Sequence, residues 1–142
     1  MLSIRPVVLV IFKNKNKILV SEGFDSATKQ TFYRPLGGTI EFGERSKDAL
    51  RREIREELGA EISNIKYLGM IENIFAYNNQ PGHEIDLIYK AKFVDSAFYS
   101  RTRINGKEGK EPIKALWLSI EKFRKRKLIL YPTEIIKFIS KK

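Results

Sequence analysis

The most constraining feature of this sequence is one predicted helix, over Ser46 to Leu58, in a chain whose other apolar segments have the character of strands. The Ser46 hydroxyl can cap the amino terminus of this helix, and Gly59 stands where helices most often end in a left-handed residue. Leu50, Ile54 and Leu58 recur at the spacing of one helical face. The helix is therefore expected to pack against a sheet through this apolar stripe.

Apolar, β-branched segments on both sides of the helix predict strands, separated by polar loops over residues 23–30 and 96–112. Further helical segments are expected from Ser119 and from Thr133. The predicted strands cover residues 6–12, 18–21, 31–33, 65–77, 84–94 and 113–118. This order indicates an α/β sandwich, in which helices cover a mixed sheet, and a single domain over residues 1–142.

Three carboxylates lie on one side of the predicted helix. Glu53, Glu56 and Glu57 are spaced at i, i+3 and i+4, which places them within an arc of roughly 100°. Like charges at this spacing repel by a few tenths of a kcal/mol per pair, and Arg52 can neutralise only part of the cluster through Glu56. A surplus of surface glutamate and a divalent cation site are both compatible with this pattern.

Residue counts narrow the chemistry that a metal site could use. The chain has no cysteine and one histidine, His83, so thiolate sites and cysteine nucleophiles are excluded. A metal ion would have to be held mainly by oxygen, which favours Mg²⁺, with Mn²⁺ as the alternative.

The segment from Gly38 to Ala60 reads GTIEFGERSKDALRREIREELGA. It resembles the Nudix box, whose pattern is G, five residues, E, seven residues, R-E-U-x-E-E-x-G-U, where U is a bulky aliphatic residue. The one departure is Ala60, where the pattern has a larger apolar residue, and that position carries no chemistry. The positions that match are Gly38, Glu44, Arg52, Glu53, Ile54, Glu56, Glu57 and Gly59.

The resemblance implies a MutT-like, Nudix-type α/β/α sandwich with a mixed β-sheet, and a hydrolase of the pyrophosphatase type. Such an enzyme uses Mg²⁺ to cleave a phosphoanhydride bond in a nucleoside diphosphate linked to another group. A nucleoside triphosphate, ADP-ribose or a nucleotide sugar belongs to this substrate class.

The same resemblance implies roles for individual residues. Glu56 and Glu57 would be the core metal ligands, with the Gly37 carbonyl as an extra ligand. Glu53 would be a further ligand or the group that deprotonates water. Glu44 and Arg52 would brace the loop and the helix carboxylates, and so belong with Glu53 and Glu57 in the catalytic set.

Further candidates lie outside the box. Glu72, Glu84 and Glu108 could each supply a base or ligand. Glu84 is the choice among the three and is also a candidate for substrate binding, and a solvated strand-end carboxylate is its alternative. Arg34 and Gly38 are expected to contact substrate phosphate, although a surface salt bridge is an equal alternative for Arg34. For His83, contact with the substrate and a purely structural role are the two alternatives, and the structural role is the more common one for such a histidine. Four aromatic residues are each expected in the core, but one of them could instead stack on a base: Phe32, Tyr33, Phe75 and Tyr77. Trp117 is expected in the core.

Charge is distributed unevenly along the chain. The net charge is +10, and residues 101–142 hold 13 Lys and Arg against 4 Asp and Glu. A solvated basic face is the simpler interpretation, and RNA binding is the alternative. The functional alternatives are accordingly an RNA 5′-pyrophosphohydrolase and a nucleotide sensor without turnover. A cytoplasmic protein without membrane contact is expected, because no apolar run approaches the roughly 18 residues of a membrane span; a homodimer is compatible with the family.

Overall fold

The computed structural model describes residues 2–139. In this range a sheet of eight strands carries one long helix, α1 (Ser46–Leu58), one short helix, α2 (Ile120–Arg124), and two 3₁₀ helices, Ser96–Tyr99 and Thr133–Phe138. The strands are β1 (Arg5–Ile11), β2 (Lys13–Asn14), β3 (Lys17–Asp25), β4 (Gln30–Thr39), β5 (Ile62–Tyr77), β6 (Gln80–Phe93), β7 (Arg103–Glu108) and β8 (Glu111–Ser119).

The sheet is mixed, as predicted. Its order is β5-β6-β1-β4-β3-β8-β7, with β2 paired to β3. The pairing of β1 with β6 is parallel, whereas the other strand pairs are antiparallel. Strand β4 is shared between two partners, because residues 36–39 pair with β1 and residues 30–35 pair with β3. This strand therefore connects the two halves of the sheet and leads directly into the loop before α1.

Alternating side chains of β1 enter two apolar clusters. Val8 and Val10 pack with Leu50 and Ile54 of α1, whereas Val7 and Leu9 pack with the carboxyl-terminal elements, including Phe123 and Ile135. Successive residues of a strand point to opposite faces of a sheet, so β1 is covered on both sides. This arrangement confirms the predicted α/β/α sandwich. Trp117 is also in the core as expected, and its indole Nε1 donates to the Phe98 carbonyl at 3.0 Å.

The limits of α1 match the prediction, but its amino-terminal cap does not. Arg45 is the capping residue, and the described residues provide no side-chain hydrogen bond to that end. Ser46 is the first helical residue, and its Oγ instead forms a short hydrogen bond with the Tyr89 hydroxyl. The serine thus ties the helix to β6 and does not cap its free amides. At the other end Gly59 has φ 66°, which confirms the left-handed terminus.

Two predicted loops are largely strand. Residues 103–119 form the β7–β8 hairpin, so Asn105 and Gly106 lie inside β7, and the turn is at Gly109, with φ 61°. This hairpin was not predicted from the sequence, because most β7 side chains face solvent and the segment therefore shows little alternation of apolar and polar residues. Likewise β3 extends to Asp25 and β4 begins at Gln30. In the described range no helix combines the length and apolarity required to cross a bilayer.

Candidate active site

Arg52 is the centre of the ion-pair network on the first half of α1. Its Nε and Nη2 donate to the two carboxylate oxygens of Glu44, at 2.8 and 2.9 Å. Its Nη1 donates to Glu53 at 2.9 Å and to Glu56 at 3.4 Å, and Nη2 also reaches the Thr39 carbonyl at 3.1 Å. The guanidinium therefore joins the helix to the loop that precedes it. The hydrogen bond from Arg52 lowers the pKa of Glu44 to about 2, with help from the Glu41 amide.

Glu53 lies between α1 and β4, against the bare backbone of Gly38. A Cβ atom at Gly38 would be 2.4 Å from the Glu53 carboxyl carbon, so a side chain there would displace this carboxylate. The Glu53 side chain is 14% exposed. Its burial raises the pKa of the carboxyl group, although the hydrogen bond from Arg52 acts in the opposite direction.

Glu57 is the most deeply placed of the three helix carboxylates. It is 5% exposed, and its Oε1 has no hydrogen-bond partner within residues 2–139. Burial, followed by the charges of Glu53 and Glu108, raises its pKa to about 9, while Arg34 counteracts this rise. An ionised carboxylate is costly in such a place unless a cation or a hydrogen-bond donor accompanies it. The position therefore suits either a proton or a metal ion.

Glu56 faces solvent, with its side chain 60% exposed, and Arg52 reaches it only at 3.4 Å. The described residues hold no group of three acidic or histidine side chains that already converge at metal-binding distances. The chemistry of the donors nevertheless fits a hard divalent ion, since all of them are oxygens and one buried oxygen lacks a partner. Rotation of the exposed Glu56 side chain would be needed to complete such a site.

A second charged group surrounds Glu84, outside the box. Glu84 is in the interior of β6 and only 2% exposed, so the alternative of a solvated strand-end carboxylate is wrong. It accepts from Arg5 Nη1 at 3.3 Å, and Arg34 Nη2 lies 3.9 Å from its other oxygen. Arg34 also bears electrostatically on Glu57. Arg34 thus connects the box carboxylates with Glu84.

Asp86 is the buried acid that the sequence analysis missed. It has no exposed surface, and neither of its carboxyl oxygens has a hydrogen-bond partner among the described residues. Burial raises the pKa of Asp86, and the adjacent Glu84 adds to the rise. The available signal was an aspartate between Ile85 and Leu87, in a segment otherwise suited to a buried strand.

The remaining predicted positions are spread along β4, β5 and β6. Gly37 is in β4 opposite Leu9, with φ 152°, directly before Gly38. His83 is partly buried and pairs with Ile74 in the β5–β6 ladder. Glu72 is in β5, where it pairs with Ile85 of β6 and faces solvent. These two side chains do not enter the ion-pair network around Arg52 in the described structure.

Comparison with known proteins agrees with this architecture. A family model described as NUDIX domain matches residues 3–137. The NUDIX hydrolase from Nitrosomonas europaea superposes with a TM-score of 0.67 at 17% identity, covering 96% of this chain and 86% of the other. The MutT NUDIX hydrolase from Burkholderia pseudomallei gives 0.61 at 20% identity, covering 84% and 85%. These structural similarities show the fold.

A curated relative provides a partial sequence match. The NAD-capped RNA hydrolase NudC of Vibrio atlanticus is 36% identical over 64 residues, which are 45% of this chain and 23% of that protein. The match therefore spans less than a quarter of the relative's length. The family model covers nearly the whole chain, and the arrangement of the box residues agrees with it. This protein therefore belongs to the NUDIX domain family.

Proposed function

We propose that this protein is a Mg²⁺-dependent pyrophosphohydrolase acting on a nucleoside diphosphate linked to another group. The observation that carries the proposal is the state of Glu57, a buried carboxyl group without a hydrogen-bond partner for Oε1 among the described residues. It lies beside Glu53 and Glu108, whose charges raise its pKa further. A group of acids is kept at such a cost where a cation is to be bound.

Glu53, Glu56 and Glu57 would hold the ion, with the Gly37 carbonyl as an additional ligand. When bound, the ion supplies charge neutralisation at the phosphoryl oxygens and makes water more acidic. Mg²⁺ commonly keeps several waters and needs few protein ligands, which suits a site in which one carboxylate, that of Glu56, is 60% exposed. Mn²⁺ meets the same requirements.

The protein's own groups position the substrate and move the proton. Glu53 is the candidate proton acceptor for the attacking water, because its burial raises its pKa toward neutrality, where a general base is most effective. Arg52 fixes the Glu53 carboxylate at 2.9 Å and holds Glu44 in the loop. Arg34 can donate to a substrate phosphate, and buried Glu84 orients it at 3.9 Å.

Of the candidate carboxylates outside the box, Glu108 is better placed than Glu84 to act near the reacting atoms. Its charge acts on both Glu53 and Glu57, and it is exposed on the β7–β8 hairpin. That hairpin packs closely on α1, since a Cβ at Gly106 would be 2.4 Å from the Glu57 carbonyl oxygen. Glu108 can therefore reach the edge of the carboxylate cluster, while Glu84 acts through Arg34.

The test is release of phosphate or nucleotide from nucleoside triphosphates, ADP-ribose, nucleotide sugars and dinucleoside polyphosphates. Turnover of one substrate should require Mg²⁺ and be lost in Glu57→Gln. Glu61→Gln is the matched control, because Glu61 is 60% exposed and pairs with Arg55 beyond the cluster. Nucleotide binding without turnover in folded, Mg²⁺-loaded protein would contradict the hydrolase proposal and favour a sensor.

A second candidate function is hydrolysis at the 5′ end of RNA, which two observations favour. The relative named NAD-capped RNA hydrolase shares part of this sequence. In addition, a groove of about 730 Å³ is lined by Arg124, Arg126 and Lys137 together with Tyr131. Preference for capped RNA over the free dinucleotide, with affinity that falls steeply with salt, would support this function. Equal rates on both at every salt concentration would oppose it.

A further inference from the structure

We propose that Phe32, Tyr77 and Tyr131 form a platform on which the base of the substrate nucleotide stacks. This inference rests on the proposed function and adds a specificity determinant to it. The three rings come from β4, the end of β5 and the segment after α2. They meet around Phe32, whose ring centroid lies 5.7 Å from that of Tyr77 and 5.4 Å from that of Tyr131.

Phe32 is fixed from behind by a glycine. A Cβ atom at Gly23, its partner in β3, would be 2.6 Å from the Phe32 ring. The ring therefore lies directly on the β3 backbone, and a larger residue at position 23 would push it away. A rigid aromatic ring loses little entropy when a base packs against it.

Backbone and polar contacts hold the other two rings in place. Tyr131 N donates to the Tyr33 carbonyl at 2.8 Å, and Tyr33 N donates to Ile129 O at 2.8 Å, so residues 129–131 run along β4. The Tyr77 hydroxyl donates to the Phe24 carbonyl at 3.2 Å, and Asn78 accepts from Ser26 N at 2.8 Å. The β3–β4 and β5–β6 turns are joined in this way beside the cluster.

The platform retains exposed aromatic surface. Tyr77 is 42% exposed and Tyr131 is 39% exposed, although both touch Phe32. Aromatic faces that stay in water within a fixed cluster are suited to stacking with a flat partner. A nucleobase is such a partner, and stacking accepts any base because every base has a π-face.

The position of Arg34 argues for a nucleobase as the occupant. Phe32 and Arg34 are two residues apart on β4, so their side chains leave the same face of the strand about 7 Å apart. Arg34 interacts electrostatically with Glu57 of the box, and its Nη2 lies 3.9 Å from a carboxylate oxygen of Glu84. A nucleotide whose phosphates lie at Arg34 and the box would place its base toward Phe32.

The test compares substrates with and without a base. In Tyr131→Leu the KM for the nucleotide substrate should rise about 5- to 100-fold, the range expected for loss of one stacking partner. The KM for 5-phosphoribosyl pyrophosphate or tripolyphosphate, which lack a base, should change less than about twofold. Phe32→Leu provides a second variant. Phe24→Leu is the matched control, because Phe24 is 53% exposed and, as the neighbour of Gly23, points to the other face of β3.

Equilibrium binding separates this inference from the proposed hydrolysis. Nucleoside diphosphates and inorganic pyrophosphate would be titrated into Glu57→Gln protein, with and without Tyr131→Leu. Selective loss of nucleoside diphosphate affinity supports the platform, even if the parent protein hydrolyses nothing and the proposed function fails. Unchanged nucleotide affinity, or an equal loss for pyrophosphate, overturns the platform whether or not the protein is a hydrolase.

Discussion

Arg52 and Glu44 are joined by two nearly equal hydrogen bonds, from Nε at 2.8 Å and from Nη2 at 2.9 Å. The planar guanidinium matches the two carboxylate oxygens, and its third nitrogen remains free to hold Glu53 at 2.9 Å. One side chain thus sets the loop and a candidate catalytic carboxylate relative to each other. Lysine has a single ammonium group and cannot make this set of contacts.

Arg52→Lys should therefore reduce kcat/KM by about 10- to 100-fold, because the carboxylate of Glu53 is no longer fixed. Steady-state kinetics on the identified substrate would measure this effect. Arg51→Lys is the matched control, since Arg51 is 46% exposed and contacts only Asp48 at 3.8 Å among the described ion pairs. Similar activities for the two variants would contradict the positioning role of Arg52.

The pKa of Glu57 predicts how stability depends on pH in metal-free protein. Its folded-state pKa is raised from the ordinary 4.5 to about 9, so the folded protein keeps a proton that the unfolded chain releases. The stabilising contribution is complete below about pH 4.5 and is lost as the pH rises toward 9. In chelator, the free energy of unfolding should fall between pH 5 and pH 8.

Urea unfolding at several pH values measures this slope. Glu57→Gln should flatten it, whereas Glu56→Gln should change it much less, because Glu56 is 60% exposed and its charge contributes least to the raised pKa of Glu57. Buried Asp86 contributes in the same direction, so part of the slope should persist in Glu57→Gln. Saturating Mg²⁺ should restore stability at pH 8 by about 2–3 kcal/mol if the ion is at 100 times its Kd. A slope that is identical in all three proteins would refute the assignment.

The elements predicted well are those whose information is local in the sequence. The limits of α1 and the left-handed Gly59 follow from periodicity and a terminal glycine, and the box spacing identified the family. The spacing also indicated that Arg52 could pair with Glu56, which the structure shows at 3.4 Å. A helix repeat fixes such neighbours before any tertiary contact forms.

Tertiary contacts determined the features that were missed. Ser46 does not cap α1 because its hydroxyl bonds to Tyr89, 43 positions away in the chain. The burial of Glu84 depends on Arg5 and Arg34, which come from two other strands. No local pattern encodes these approaches. Similarly, β7 is an edge strand of the sheet, so its exposed polar side chains resemble those of a loop.

Removal of Arg34 should destabilise the protein in a pH-dependent manner. Its guanidinium lies 3.9 Å from buried Glu84 and lowers the pKa of both Glu57 and Asp86. In Arg34→Met these acids would hold their protons to higher pH, and ionising them would cost more. We expect a loss of about 1–3 kcal/mol at about pH 9.5, where the pH exceeds the pKa of about 9 for Glu57 and of about 8 for Asp86. This loss is below that of a fully buried pair because Arg34 is 40% exposed.

The loss in Arg34→Met should be smaller at pH 5, where Glu57 and Asp86 are protonated in the folded state. Arg34→Lys should recover part of the stability while leaving the KM for the nucleotide raised, because lysine cannot form a two-pronged contact with phosphate. Denaturant unfolding at both pH values and KM measurements separate the two effects. An equal loss at pH 5 and at about pH 9.5 would show that Arg34 acts through packing alone.

The adjacent glycines before the box loop should respond differently to alanine. At Gly37 the new Cβ would be 1.9 Å from the Val8 carbonyl oxygen, and φ is 152°. Backbone in the middle of the sheet cannot yield cheaply, so Gly37→Ala should unfold or severely destabilise the protein, by more than about 4 kcal/mol. At Gly38 the new atom would meet the flexible Glu53 carboxyl group at 2.4 Å.

Gly38→Ala should therefore fold, with a small change in Tm, but lose most activity because Glu53 is displaced. Gly109→Ala is a control for backbone strain, since Gly109 has φ 61° in the β7–β8 turn and an added Cβ atom would have no neighbour within 4 Å. Thermal melts and kcat/KM for the three variants distinguish the effects. An active Gly38→Ala enzyme would show that the observed position of Glu53 is not the one used in catalysis, and Glu108 would become the leading candidate for the base.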